Sequence, residues 1–381
     1  MWGLRITSVA VGIVVACTSR GAADVCAYVA NSGDNTVSVI DTASNTVRAT
    51  IAVGETPRAI ALTPDRKRAY VANGHARTLS IIDTATNTVR ATVPAGRDPR
   101  DLAFTPDGTS VYVTNGSSDA VAVIDTATQM FSTADIPVGN APRGIALTPD
   151  GSRAYVVSVV DDQVAVIDTA SHTVFDTITV GAGPTDVAIT PDGKQVYVTN
   201  GNAVSIIDVR TNRVIRDLRI GNSPRDVAIA PDGTRAYATN NEAVFVIDTA
   251  PQSIDTGALL TSPTAVAVTP DSSRVYVASD NAIVVLDPTA HVIVPAIPVG
   301  DTPVSIAIAD IRTGCGSVRC GGDCTGDGIV TVDELLTLVG IALQNIPVSD
   351  CAAGDVDRNG EISIDEILSA VRVALNGCSA G

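Results

Sequence analysis

Histidine and aromatic residues are scarce in this 381-residue chain, which holds three His, four Phe and one Trp. The histidines stand apart at 75, 172 and 291, and neither an HExxH nor a CxxCH stretch occurs, which argues against zinc and covalent haem chemistry. A nucleophile elbow and a phosphate-binding glycine loop are missing as well. The lone Trp2 sits at the N-terminal end, so little is left on which a sugar face could stack. Positive charge is also short: 25 Lys and Arg face 41 Asp and Glu, a net charge of −16 that repels nucleic acid phosphates and gains nothing from anionic lipid headgroups. The apolar run ITSVAVGIVVA is too short to span a bilayer, so no transmembrane segment is expected in the mature chain.

That run has Arg5 before it and the small residues RGAA after it, the layout of an export signal over residues 1–23. Two cuts fit. One falls near Ala23; the other precedes Cys17, because VVAC resembles a bacterial lipoprotein box and would leave a lipid-anchored cysteine. Either leaves Cys26, Cys315, Cys320, Cys324, Cys351 and Cys378, an even set that fits three disulfides in an exported protein of the periplasm, cell surface or exterior.

What the chain has in abundance is repetition. Its seven tyrosines, Tyr28, Tyr70, Tyr112, Tyr155, Tyr197, Tyr237 and Tyr276, recur at intervals of 39 to 43 residues. Each opens a unit in which YVAN or YVTN leads to VSVIDT, then to TVRATIAVG, then to PRAIALTPDG, with variants. Four short pieces rich in Val, Ile and Thr, bounded by Gly, Pro, Asn and Asp, read as four antiparallel strands. The PDG that follows the fourth is a tight turn. Four strands every 41 or so residues describe a propeller blade, and seven units describe a seven-bladed all-β propeller over 24–312.

Over roughly residues 27–311 the chain resembles the YVTN-type β-propellers of exported bacterial and archaeal proteins, a group whose relatives include cytochrome and lactonase propellers alongside surface and binding proteins. The resemblance places PRAIALTPD innermost, next to the central channel. Independently, Ala61, Ala103, Ala146, Ala188, Ala228, Ala267 and Ala307 all follow a marker proline by four residues, as crowding at an axis requires. The chain opens on an outer strand and its last unit ends on an inner one, PVSIAIAD, so the N-terminal strands should pair with that last strand and close the ring. Aligning the units brings Cys26 and Cys315 to this seam, where a disulfide is expected, with pairing inside the tail or two free thiols as the alternative.

After 312 the composition changes to clustered Gly and Cys, marking a separate domain over 313–381. Two stretches, DCTGDGIVTVDE and DVDRNGEISIDE, carry the ligand spacing of a calcium loop with Gly sixth. The first offers Asp323, Thr325, Asp327, the Ile329 carbonyl, Thr331 and Glu334; the second offers Asp355, Asp357, Asn359, the Glu361 carbonyl, Ser363 and Glu366. Hard oxygen donors around a glycine turn suit two Ca²⁺ ions. A helix of apolar period follows each loop, and this duplicated EF-hand-like loop and helix resembles the dockerin module, which docks cohesin domains. That likeness implies attachment to a protein or cell-surface partner, although Val332, Asp333, Ile364 and Asp365 depart from the usual recognition pairs. So small a module needs metal and disulfides; of three pairings open to its four cysteines, Cys320 with Cys378 and Cys324 with Cys351 is the one expected.

Chemistry in the propeller is confined to its mouth. Directly after the marker prolines stand Arg58, Arg100, Arg143 and Arg225, followed by Asp101, Asp186 and Asp226. All should gather where the inner strands enter the channel, either gripping a small anionic ligand by paired hydrogen bonds or neutralising one another. The IDT aspartates and His172 and His291 read as turn residues, with His75 alone in another loop. Two functional classes follow. The first is a non-catalytic exported binding or scaffold protein, monomeric and held through its calcium module; the second is an exported lactonase-like or polysaccharide-processing enzyme working at the mouth.

Overall fold

A computed structural model describes residues 24–221, 223–289 and 292–311, and beyond these only positions 337, 339, 362, 363, 367, 368 and 370. Every repeat folds into a four-stranded antiparallel sheet, and the described residues form seven such sheets from 28 strands, β1 to β28 in chain order. One complete blade runs from β4 (Pro57–Leu62) through β5 (Arg68–Asn73) and β6 (Thr78–Asp83) to β7 (Thr88–Pro94). The middle strands are buried on both faces, because each sheet is sandwiched between two others; this is why they read as continuous apolar runs rather than alternating ones. The outermost strand is mostly exposed.

The ring closes as the sequence predicts. β28 (Pro303–Ile311) pairs with β1 (Asp24–Asn31), which continues into β2 (Thr36–Asp41) and β3 (Thr46–Ala52), so the last strand supplies the inner edge of the first blade. β28 is nine residues long where the other inner strands have at most six, and its extension pairs Ile311 with Asp24 and sets Ala309 opposite Cys26. Cys26 is buried and disulfide-bonded.

The marker residues explain one another. Each of the seven alanines lies opposite the tyrosine of its own blade, from Ala61 facing Tyr70 to Ala307 facing Tyr28. Seven apolar clusters lie between blades, and each takes residues from two neighbours; the one holding Tyr28, Val37 and Val39 also holds Ile60, Val71 and Ile82 of the next blade. The tyrosines reach across these contacts. Tyr28 donates to Asn87 Oδ1 at 3.0 Å, Tyr155 to Asn212 Oδ1 at 3.0 Å and Tyr276 to Asn45 Oδ1 at 2.8 Å. Those acceptors occupy left-handed turn positions, which asparagine tolerates well. His172 takes the same position at φ 54° and lies 3.1 Å from the Tyr112 hydroxyl, so it is a turn residue and clasp partner.

The asparagine of YVAN has a structural task of its own. Asn31 and Asn73 are fully buried and donate to Ser38 and Ser80 of the adjacent strand at 3.0 and 2.9 Å. A side chain at Gly54 would meet Asn73 at 2.7 Å, which accounts for the glycine that follows the outermost strand in every blade but the sixth, where Thr261 stands. The pair is not universal: Ala122, Ala165, Phe245 and Val284 take the serine position in the third, fourth, sixth and seventh blades, and in the third, whose outer strand β11 (Ile136–Pro137) is two residues long, both amide atoms of Asn115 are left without a partner.

The expected signal segment 1–23 with Cys17, the cysteines from Cys315 onward, His291 and the two expected calcium loops lie outside the described residues, apart from Ile362 and Ser363 of the second loop. Ser363 is described, and its carbonyl accepts the Ile367 N–H at 3.1 Å.

Candidate functional site at the channel mouth

Each inner strand enters the channel at its marker proline, so the two residues after it are fixed at the mouth by register. Arg58, Arg100, Asp101, Arg143, Asp186, Arg225 and Asp226 accordingly line one cavity of about 100 Å³, together with Thr185 and with Thr264 and Ser305 from the two remaining blades. Among the described residues, however, no ion pair within 4 Å joins these arginines to Asp101, Asp186 or Asp226. The carboxylates are consumed by backbone. Ile145 N–H donates to Asp101 Oδ2 at 2.9 Å, Val227 N–H to Asp186 Oδ2 at 3.0 Å, and Val266 N–H to Asp226 Oδ2 at 2.6 Å. Each bond runs from one blade to the next, and Ser305 does the same for Ile60 N–H at 3.2 Å. The second oxygens of Asp101 and Asp226 accept from Leu102 and Val227 at 2.8 and 3.1 Å.

These carboxylates therefore stitch the inner ring. Gly144 belongs to the same stitching, since a Cβ there would meet Asp186 Cα at 2.7 Å. The crowding has an electrostatic consequence. Burial first and the Asp186 charge second push the Asp101 carboxyl up to about 7, against the lowering pull of the Ile145 and Leu102 N–H groups and of Arg143. Asp226 is raised well above the ordinary carboxylate value by burial, by the Asp186 charge and by a hydrogen bond with the Asp186 carboxyl, which requires one proton between the two.

The arginines face elsewhere. Arg100 is held by Asp98, a residue of the preceding loop, with Nε and Nη2 at 2.8 and 2.7 Å from Oδ2. The same carboxylate stands 3.5 Å from Arg58 Nε. Arg225 Nε donates to Asn241 Oδ1 at 3.0 Å. Arg143 is depressed by burial, which the Asp186 charge partly offsets and the Arg100 and Arg225 charges reinforce.

Known proteins can now be set beside this geometry. A YNCE-like beta-propeller family model matches residues 6–115, and a model described as Lactonase, 7-bladed beta-propeller matches residues 124–269. Among solved structures, the hydrazine synthase of Kuenenia stuttgartiensis is similar at 24% identity and TM-score 0.61, covering 68% of this chain and 90% of its own. A functionally unknown protein from Desulfotomaculum acetoxidans DSM 771 is similar at 19% identity and TM-score 0.67, covering 75% of this chain and 99% of its own. No curated protein matches. The fold is that of a seven-bladed propeller. Each family model spans less than half of the 381 residues, and identities this low speak to fold alone.

One group of residues beside the mouth escapes the sequence reading. His75, Arg77, Arg97 and Asp98 join Arg58 and Arg100 around a wider cavity of about 670 Å³ between the second and third blades. Aligned repeats carry the signal that finds them. In the column of Arg77 other blades hold Asn35, Asp119, Asp162 and Asn281, whose side chains accept the N–H of Thr56, Ala141, Gly183 and Thr302 at 2.7, 2.9, 2.7 and 3.2 Å. Arginine has no acceptor to offer the corresponding Asp98 N–H. Arg77 also holds φ at 58°, a left-handed conformation that costs a long side chain on the order of 1 kcal/mol.

Proposed function

We propose that this protein is an exported, non-catalytic propeller that presents the face around its channel mouth to an anionic ligand. One observation carries the reading: five of the six carboxylate oxygens at the mouth accept backbone N–H groups, leaving guanidiniums as the groups available to a ligand. A general base or nucleophile needs a free oxygen aimed at substrate, and here only Asp186 Oδ1 accepts no backbone N–H, on a carboxyl that shares a hydrogen bond with Asp226. The tail completes the proposal. Asp323, Thr325, Asp327, Ile329, Thr331 and Glu334 would hold one Ca²⁺, and Asp355, Asp357, Asn359, Glu361, Ser363 and Glu366 a second, giving a dockerin-like module that attaches the propeller to a protein or cell-surface partner. Cys26 would pair with Cys315 at the seam.

Recovery of bound material from the native envelope, with and without a calcium chelator, tests this reading. Chelation should release the protein from its partner and leave the propeller folded.

A second reading, a lactonase-like enzyme, is favoured by the match of the lactonase propeller model to 124–269 and by the raised Asp101 and Asp226 carboxyls. Turnover of a lactone panel that disappears in Asp186→Asn would establish it over the first.

A further inference from the structure

The cavity between the second and third blades differs in charge from the rest of the rim. Elsewhere the corresponding loops carry Asp34, Asp119, Asp161 and Asp162; here they carry His75, Arg77 and Arg97. Four guanidiniums and an imidazole then surround a single carboxylate, Asp98, in a chain whose net charge is −16. Asp98 is already shared between Arg58 and Arg100. Neither Arg77 nor Arg97 makes an ion pair with it.

Two further features point to a ligand. Arg58 Nε is buried, and its one close approach is to Asp98 Oδ1 at 3.5 Å, the outer limit of a hydrogen bond, on a carboxylate already engaged by Arg100, so the guanidinium has room for a further acceptor. The floor is also cleared for the guanidiniums: a Cβ on Gly74 would stand 2.7 Å from Arg58 Nε, and one on Gly116 would stand 2.9 Å from Arg100 Nε. The repeat's own capping residue has meanwhile been exchanged for Arg77 at a position where arginine is strained.

We propose that this basin, set to one side of the channel axis, is the ligand site, and that it takes a small multivalent oxyanion, a sulfate, phosphate or polycarboxylate group. The planar forks of Arg58 and Arg100, oriented by Asp98, supply paired donors, while Arg77 and Arg97 close over the anion from the rim. The proposal rests on the reading of the propeller as a binding protein and names the ligand class for that face.

Calorimetric titration of the full chain with sodium sulfate, sodium phosphate and sodium citrate, each against sodium chloride at matched ionic strength, tests it. One oxyanion per chain should bind, and the ranking among the three identifies which oxyanion chemistry the basin prefers. Arg77→Asn restores the repeat's capping residue and should fold at least as stably as the parent, yet weaken binding about tenfold; exposed Arg97→Gln should do the same. Arg213→Gln, on the exposed outer strand of the fifth blade, should bind as the parent does. Equal affinity in Arg77→Asn and Arg97→Gln, an equal loss in Arg213→Gln, or no binding beyond chloride would each overturn the basin. Lactone turnover lost in Asp186→Asn would instead sink the binding-protein reading, and the titration would still report on the basin.

Discussion

Tyr155 and Tyr70 occupy equivalent positions but differ in whether the hydroxyl finds a partner. Tyr155 donates to Asn212 across the blade interface, whereas the buried Tyr70 hydroxyl has none and its ring packs edge-on against Phe104 at 5.0 Å. Tyr155→Phe should therefore lower the unfolding free energy by about 1 kcal/mol, and Tyr70→Phe should leave it unchanged or slightly higher, as read by urea titration. A gain is expected where the repeat is incomplete: Ala122→Ser would give Asn115 the partner that Ser38 and Ser80 give its counterparts, adding about 1 kcal/mol. Single residues were unevenly legible in the sequence. Proline stands at the start of five inner strands and two or three residues before the other two, so the seven mouth residues could be placed from spacing alone. Their partners were not, because Asp98 comes from a preceding loop and the aspartates bond to backbone amides, which no residue pattern records. Arg77 was legible only as a column that breaks the pattern.

At the level of the strands, the inner ring stores like charge, and the pH dependence of stability should show it. Asp101 holds its proton up to about 7 in the fold, against 3.8 ordinarily, so its contribution is complete below about 3.8 and is lost as pH rises through 7. Asp226 acts in the same direction. The turn aspartates act oppositely: Asp192, lowered to about 2 by Thr190, by Lys194 and by backbone N–H, stabilises above 3.8 and loses that contribution as pH falls through 2. Stability should thus peak near pH 4 and decline toward pH 7. Asp186→Asn removes the charge that raises both neighbours while keeping an acceptor for Val227 N–H, so its decline should be shallower. Superimposable profiles would show that Asp186 is not the cause. The seam has its own test. Peptide mapping without reductant should recover Cys26 joined to Cys315, and reductant should lower the unfolding free energy of the parent by up to about 5 kcal/mol while sparing Cys26→Ala.

For the molecule as a whole, blade number, strand order and closure were all legible, because a fixed period forces each unit into one shape and an unpaired last strand has one place to go. The degraded third-blade outer strand and the long β28 were less so, since both depend on where pairing stops rather than on which residues favour it. The whole chain combines two modes of stability. The propeller is held by seven apolar interfaces between blades and by a paired seam. The proposed tail is too small to bury a large core of its own and, on this reading, would draw stability from calcium and disulfides. Limited proteolysis should separate the two: with a calcium chelator, cleavage after residue 312 should accelerate at least tenfold, while a fragment carrying 24–311 survives at its original rate. Substituting Glu366→Gln should reproduce much of the chelator's effect with calcium present, because it removes the bidentate ligand that closes the second loop. Equal cleavage rates in the parent with and without chelator would remove the metal from the account of the tail and leave the propeller's account untouched.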